Sequence, residues 1–151
     1  MRLWRISNYA DLSGEGGLLV SGRWHSQGIR IVYLSDHPAS TLVEFLVHLE
    51  VDSEDLPSIY QLLAVDIPDE IRFETIEEDQ LVPGWRENAM LTRGLGDQWL
   101  RQNRTALMRV PSAIVPATVN WLLNPAHPDS AKAGIAEIVR APFDPRLFKA
   151  D

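Results

Sequence analysis

The chain has 151 residues, of which 45% are hydrophobic and 23% charged, and it carries a formal net charge of -7 at pH 7. This length and composition are typical of one globular domain and exclude a disordered or fibrous chain. The acidic balance argues against direct nucleic-acid binding, which needs clustered Lys and Arg, and the absence of cysteine excludes disulfides, a thiolate nucleophile and a Cys-type zinc site.

The N-terminal residues show no targeting segment. They lack the apolar stretch of a secretory signal, and no apolar run in the chain approaches the ~20 residues that a membrane-spanning helix needs. We therefore expect a soluble, cytoplasmic protein without a membrane partner.

The first third of the chain predicts a loop, a strand and a helix in that order. Residues 13–17 are rich in glycine and predict a flexible loop, and the β-branched residues of 29–34 predict a strand. Residues 35–38 form a capping signal, so a helix is expected to follow at once. The apolar spacing in that helix places Glu44 at the edge of its apolar stripe, with His48 one turn further on.

The middle of the chain predicts two strands and a second helix. Residues 58–68 and 71–76 have strand-like patterns, and residues 91–104 are expected to be helical.

The last third predicts strands separated by turns. Residues 105–116 predict a strand interrupted at Pro111, which favours an edge or a bulge, and residues 120–130 predict a turn-rich connection. A last strand is expected over residues 134–139, followed by a C-terminal turn. Strands outnumber helices and do not alternate with them regularly. The pattern therefore favours a single α+β domain with a mixed β-sheet core and flanking helices over a doubly wound parallel sheet.

Several residues could carry chemistry, although each of them also has a common structural role. An arginine after a glycine turn, such as Arg23 beside Trp24, usually pairs with a carboxylate or a carbonyl. A strand tyrosine such as Tyr33 usually belongs to the core, a helix glutamate such as Glu44 is usually solvated, and a serine after proline such as Ser112 usually caps a turn.

The order of the surrounding motifs favours a functional role for these residues. The segments "LWRI", "GRWH", "VYLS", "VEFLVHL", "VPSAIVP", "NWLLNPAHP" and "FDPRLF" occur in this order and extend over nearly the whole chain. Together they resemble the RES-domain family, which is named after an arginine, a glutamate and a serine, so that residues 1–151 form one RES domain. The resemblance implies an ADP-ribosyltransferase-like fold and a bacterial toxin that acts on NAD+, usually encoded beside an Xre-type antitoxin.

The resemblance also assigns roles to individual positions. The family's arginine, tyrosine, glutamate and serine fall on Arg23, Tyr33, Glu44 and Ser112, which are therefore the expected catalytic residues. The residues expected to bind NAD+ are Arg5, Arg23, Trp24, Tyr33, Ser112, Asn120 and Asn124.

These residue types suit cleavage of the nicotinamide–ribose bond. Its transition state is cationic and oxocarbenium-like and the leaving group is neutral, so a carboxylate at Glu44 stabilises the charge that develops and no protonating acid is needed. Guanidinium forks at Arg23 and Arg5 suit the diphosphate. Tyr33 can stack on the nicotinamide ring, and Ser112 can hydrogen-bond the ribose or the amide.

Other placements stay open at this point. Trp24 either borders the cleft or packs beneath the turn, and Asn120, Asn124 and His127 lie in a motif that also forms turns well. The four histidines are scattered without a paired ligand motif, so no metal site is expected. No Gly-x-Gly-x-x-Gly fingerprint is present, which fits NAD+ as a substrate and predicts no cofactor.

Three functions remain as alternatives. The first is a toxin that depletes NAD+ by hydrolysis or phosphorolysis. The second is an ADP-ribosyltransferase that modifies a cellular protein, and the third is a non-catalytic binding module that inhibits a partner by contact. The sequence does not decide whether the chain forms a homodimer.

Overall fold

The computed structural model describes residues 1–49 and 56–148. In chain order the helices and strands are β1 (Arg2–Ile6), α1 (Gly16–Leu19), β2 (Val32–Ser35), α2 (Pro38–Val47), β3 (Ile59–Asp66), β4 (Phe73–Thr75), α3 (Ala89–Gln102), β5 (Leu107–Pro111), β6 (Val119–Leu123) and β7 (Gly134–Pro142). Short 3-10 turns connect several of them.

The strands form one mixed sheet. Its seven strands lie in the order β4-β5-β6-β2-β1-β3-β7, and the β4 and β5 pair is parallel while the other neighbours are antiparallel. This arrangement confirms the predicted α+β class with a mixed sheet and flanking helices.

Side chains of the sheet alternate between two apolar clusters, one on each face. Along β2, Val32 and Leu34 belong to the first cluster, which also contains Leu3, whereas Tyr33 packs against the second. The second cluster is rich in tryptophan, including Trp99 of α3. Because successive strand residues point to opposite faces, this alternation fixes which residues of β2 can face a ligand.

The predicted helix after β2 is confirmed as α2. His37 is its N-cap residue, and the Nδ1 atom of His37 accepts a hydrogen bond from the backbone N–H of Ala39 at 3.1 Å. Pro38 occupies the first turn, where its missing N–H costs nothing. Thr41 on the buried side donates from Oγ1 to the carbonyl of Trp4 at 3.3 Å, which ties α2 to β1.

Several predicted boundaries were wrong. The predicted turn-rich connection at 120–130 contains β6, because Trp121, Leu122 and Leu123 are buried between two neighbouring strands and the turn begins only after them. The predicted strand over 105–116 ends at Pro111 as β5, and it is not the expected edge strand, because it lies between β4 and β6.

The beginning of the chain also differs from the sequence prediction. No strand was predicted at β1, a five-residue segment whose pairing partner β3 lies more than 50 residues away. The loop predicted at 13–17 includes the start of the short helix α1, and the strand predicted over 29–34 begins only at Val32. The remaining predicted strands and the second helix are confirmed as β3, β4, β7 and α3, with boundaries that differ by a few residues.

Two glycines of α3 make a matched test of how tightly this helix packs. A Cβ at Gly96 would overlap the carbonyl of Trp24, whereas a Cβ at Gly94 would meet nothing within 4 Å. We expect Gly96→Ala to lower the free energy of unfolding by about 2–3 kcal/mol through overpacking. Gly94→Ala should raise it by up to about 1 kcal/mol, because alanine favours the helix.

Urea unfolding of the two variants beside the wild type measures both changes. Equal unfolding free energies for the two variants would contradict the close approach of α3 to the loop that carries Trp24.

Candidate active site

A cavity of about 540 Å³ opens where β1 and β2 meet. Within the described chain these two strands pair at one register position, Trp4 opposite Ser35, and both residues line the cavity. Its polar and charged lining includes Arg5, Arg23, Tyr33, Glu44, His48 and Asn120. The cavity therefore gathers five of the residues predicted from the sequence to act on or bind a substrate.

Glu44 of α2 is held at one of its two carboxylate oxygens. Oε1 accepts a hydrogen bond from Asn120 Nδ2 at 2.7 Å and another from Ser112 Oγ at 2.9 Å. Among the described residues no hydrogen-bond donor contacts Oε2, and the Nε2 atom of His48 lies 3.9 Å from it. One oxygen is thus fixed by the protein while the other is available to a ligand.

Ser112 holds the glutamate in place from behind. Its side chain is 1% exposed and does not belong to the cavity lining. Its Oγ accepts hydrogen bonds from the backbone N–H groups of Ile114 and Val115, both at 3.1 Å, which leaves its hydroxyl proton directed at Glu44. The structure thus gives Ser112 a positioning contact with Glu44 in place of the ribose or amide contact expected from the sequence.

Two arginines supply positive charge without a fixed partner. The Nη1 atoms of Arg5 and Arg23 are buried and have no hydrogen-bond partner within the part of the chain that the structure describes. Burial lowers the pKa of Arg5, and the nearby Asp11 carboxylate opposes this shift. A buried guanidinium N–H without an acceptor costs free energy, so both side chains favour an anionic ligand in the cavity.

Tyr33 belongs to a hydrogen-bond network that shapes the loop between α1 and β2. Its Oη accepts from the backbone N–H of Trp24 at 3.0 Å and donates to Nδ1 of His25 at 2.8 Å. Nδ1 of His25 also accepts from the backbone N–H of Gly22 at 3.1 Å, while Nε2 donates to the carbonyl of Val20 at 3.0 Å. These contacts require a neutral histidine ring with its proton on Nε2.

The same network explains why residue 22 is glycine. A Cβ at Gly22 would lie 2.5 Å from Tyr33 Oη and 2.9 Å from His25 Nδ1. Burial raises the pKa of Tyr33, so its phenol stays protonated and keeps donating to His25. The hydroxyl of Tyr33 is therefore occupied, and its ring is the part that the cavity can use.

The network predicts a pH dependence of stability. Burial lowers the pKa of His25 below its ordinary value of about 6.5. Since the unfolded chain binds this proton more readily than the folded one, the contribution of His25 to stability is fully present above about pH 6.5 and declines as the pH falls below it. We expect a smaller free energy of unfolding at pH 5 than at pH 7.5.

A titration of the histidine ring protons by NMR tests the cause directly. His25 should take up its proton at a lower pH than 6.5, whereas a value at or above 6.5 would contradict the neutral ring in this network.

Three residues expected at or near the site lie elsewhere. Trp24 is 2% exposed and packs against Trp85 with their ring centroids 6.3 Å apart, so it lies beneath the turn and does not border the cavity. Asn124 is buried and donates from Nδ2 to the carbonyl of Leu100 at 3.2 Å and to Asn103 Oδ1 at 2.9 Å. The expectation that Trp24 and Asn124 contact the substrate finds no support here, because packing and backbone contacts occupy both side chains.

His127 also has a local role. It is the N-cap of a 3-10 turn, and its Nδ1 atom accepts from the backbone N–H of Asp129 at 3.1 Å. It does not line the cavity.

Sequence reasoning missed His25, although the histidine stands in the "GRWH" segment beside Arg23. The signal was its position two residues after the predicted phosphate-binding arginine. Its partner Tyr33 lies eight residues away in sequence, and only the fold brings the two side chains together.

The structure offers neither a metal centre nor a membrane-crossing helix in the part it describes. Within residues 1–49 and 56–148, no group of three His, Asp or Glu side chains could hold a metal ion. None of the helices in these ranges is long and apolar enough to span a bilayer.

The fold is that of a known structural class. Its seven-stranded mixed sheet with three helices is similar to the crystal structure of the M. tuberculosis MbcT-MbcA toxin-antitoxin complex, which matches with a TM-score of 0.66 at 18% identity over 97% of this chain and 85% of that chain. At this identity the likeness shows the fold alone.

Sequence comparison identifies the family. The family model of the RES domain matches residues 2–144. A Pseudomonas putida protein named Toxin Res is 48% identical and covers 98% of this chain and 100% of its own length. A Sphingobium protein named Prs ADP-ribosylating toxin is 36% identical and covers 97% of this chain and 96% of its own. The chain belongs to the RES domain family.

Proposed function

We propose that this protein is the toxin of a bacterial toxin-antitoxin system and that it consumes NAD+ by breaking the nicotinamide–ribose bond. The observation that carries the proposal is the cavity itself, which places a positioned carboxylate together with two arginines whose buried Nη1 atoms have no hydrogen-bond partner among the described residues. The names of the relatives, Toxin Res among them, support the toxin role.

The carboxylate suits the charge that develops during the reaction. Nicotinamide leaves as a neutral molecule, and positive charge builds up at the ribose carbon and ring oxygen. Glu44 directs Oε2 to the cavity while Ser112 and Asn120 hold Oε1, so the negative charge is oriented before the substrate binds. An oriented charge stabilises the transition state without the cost of reorganising the site.

The two arginines suit the diphosphate of NAD+. Its diphosphate offers several oxygens, and a guanidinium can bind two of them with parallel hydrogen bonds. A diphosphate at Arg5 and Arg23 would satisfy the buried Nη1 atoms of both side chains. The cavity volume of about 540 Å³ lies in the ordinary range for small-molecule sites.

Expression in a bacterial host tests this function in the cell. The intracellular NAD+ content should fall before growth stops, and the fall should be absent from cells that express Glu44→Gln. Growth arrest at an unchanged NAD+ content would rule out NAD+ depletion as the cause.

A specific observation favours a second function. The Sphingobium relative is named an ADP-ribosylating toxin, and transfer of ADP-ribose to a protein breaks the same bond with a side chain as the acceptor. NAD+ labelled on its adenine distinguishes the two: after incubation with cell extract, the label remains on small molecules if water or phosphate is the acceptor and becomes attached to a protein in the second case.

We further propose an Xre-type antitoxin as the partner. The solved complex of similar fold contains a toxin with its antitoxin. An acidic or C-terminal carboxylate of the partner at Arg5 and Arg23 would satisfy the same guanidinium groups as the diphosphate and would exclude NAD+ by competition. The net charge of -7 opposes binding of DNA by the toxin itself, so we assign any operator contact to the antitoxin.

A further inference from the structure

One face of α3 contacts the loop that carries Arg23 from outside the cavity. The face consists of Thr92, Arg93, Gly96 and Asp97, which lie at the spacing that brings side chains together on a helix. None of these four residues lines the cavity. Each of them nevertheless contacts the segment from Gly22 to Ser26.

Two of these contacts fix the backbone on either side of the Arg23 side chain. Thr92 is fully buried, and its Oγ1 donates to the carbonyl of Arg23 at 2.6 Å. Arg93 donates from Nε to the carbonyl of Gly22 at 2.8 Å. The carbonyls of the two peptide units on either side of the Arg23 Cα are therefore both held by α3.

The other two contacts hold the end of the segment. The carboxylate of Asp97, which is 5% exposed, accepts from the backbone N–H of Ser26 at 2.8 Å and from the Ser26 hydroxyl at 2.6 Å. Gly96 lets the carbonyl of Trp24 approach the helix backbone. Four of the five residues from Gly22 to Ser26 are thus held by a single helix.

We infer that this face of α3 is a positioning device for Arg23, and that Thr92 and Asp97 set the affinity of the site for the diphosphate of its substrate without touching it. The inference rests on the proposed function of the cavity. A guanidinium grips a phosphate with directed hydrogen bonds, so a small displacement of its backbone weakens the grip. The rigid helix therefore acts on substrate binding through the main chain of Arg23.

Thr92 offers a matched pair of variants. Thr92→Val keeps the shape and removes the hydroxyl that holds the Arg23 carbonyl, whereas Thr92→Ser keeps the hydroxyl. In assays of nicotinamide release from NAD+, we expect Thr92→Val to raise KM about tenfold with kcat nearly unchanged, as for a loss of binding common to ground and transition state. Thr92→Ser should restore a KM close to that of the wild type, and Gln98→Ala on the exposed side of α3 serves as the control.

A purely structural role of Thr92 predicts a different result. It would lower the free energy of unfolding in Thr92→Val, yet leave KM unchanged in the fraction that is folded. If Thr92→Val does not fold, Ser26→Ala is measured in its place. Ser26 is partly exposed, and the substitution removes only its hydroxyl, which donates to Asp97.

A second readout separates this inference from the proposed reaction. Inorganic pyrophosphate is the probe, and its dissociation constant is measured by calorimetry for the wild type and the Thr92 variants. If the wild type releases no nicotinamide but binds pyrophosphate more tightly than Thr92→Val does, the proposed function fails and the positioning role stands. Equal KM and equal pyrophosphate affinity in folded wild type and variant, or no pyrophosphate binding by the wild type, would overturn the positioning role.

Discussion

Glu44→Gln is expected to reduce nicotinamide release from NAD+ by about 100-fold or more, which is the usual cost of removing one oriented electrostatic stabiliser from an active site. The substitution keeps the volume of the side chain. Its amide oxygen can still accept the hydrogen bonds that Ser112 Oγ and Asn120 Nδ2 now donate to Oε1. The amide nitrogen then replaces Oε2, so the negative charge that faces the cavity is lost while the local contacts persist.

The matched control for this loss is Glu87→Gln, because Glu87 is exposed and does not line the cavity. Rates of nicotinamide release are compared for the two variants after circular dichroism has shown that both are folded. Turnover by folded Glu44→Gln within a few-fold of the wild type would remove Glu44 from the mechanism.

Arg23→Lys is expected to weaken binding of the diphosphate before it affects chemistry. A lysine keeps the charge but offers a point donor in place of the planar fork. Hydrogen bonds to charged groups contribute about 1.5–3 kcal/mol, so losing one raises the dissociation constant by roughly 10- to 100-fold. ADP-ribose carries the same diphosphate and lacks the nicotinamide, which makes it a suitable ligand for calorimetry.

Arg101→Lys is the matched control, because Arg101 lies exposed in the last turn of α3. Its affinity for ADP-ribose should equal that of the wild type. An unchanged affinity in Arg23→Lys would instead assign Arg23 to a structural role.

Much of the fold could be predicted from local sequence patterns. The helix α2 was predictable because a proline and a capping residue precede apolar residues at helical spacing, and β3 because it is a mostly apolar segment of eight residues. The strands β1 and β6 were missed for a common reason. Each has only five residues and is stabilised by pairing with a strand on either side. Such pairing depends on the tertiary structure and leaves no pattern in the local sequence.

The site shows a similar division. The residue types at Arg23, Tyr33, Glu44 and Asn120 were predictable from motif order, and the structure brings their side chains to one cavity. The role of each side chain within the site was not predictable. Ser112 could be placed behind Glu44 only from the fold, which brings the residue that follows β5 to the side chain of Glu44 although 68 residues separate them.

The contacts that hold residues 22–26 could not be predicted from the sequence either. Thr92 and Asp97 lie in an unremarkable helix about 70 residues after the segment that they hold, and no motif marks them. Their role follows from the geometry of α3 against residues 22–26.

The most direct test of the account is the fate of NAD+ with the purified wild-type protein. NAD+ is incubated with the protein in buffer alone, with added phosphate and with cell extract, and the products are identified by mass spectrometry. We expect one free nicotinamide for each NAD+ consumed, and the mass of the ribosyl product identifies the acceptor as water, phosphate or a protein side chain. Intact NAD+ after prolonged incubation with the folded protein under all three conditions would contradict it.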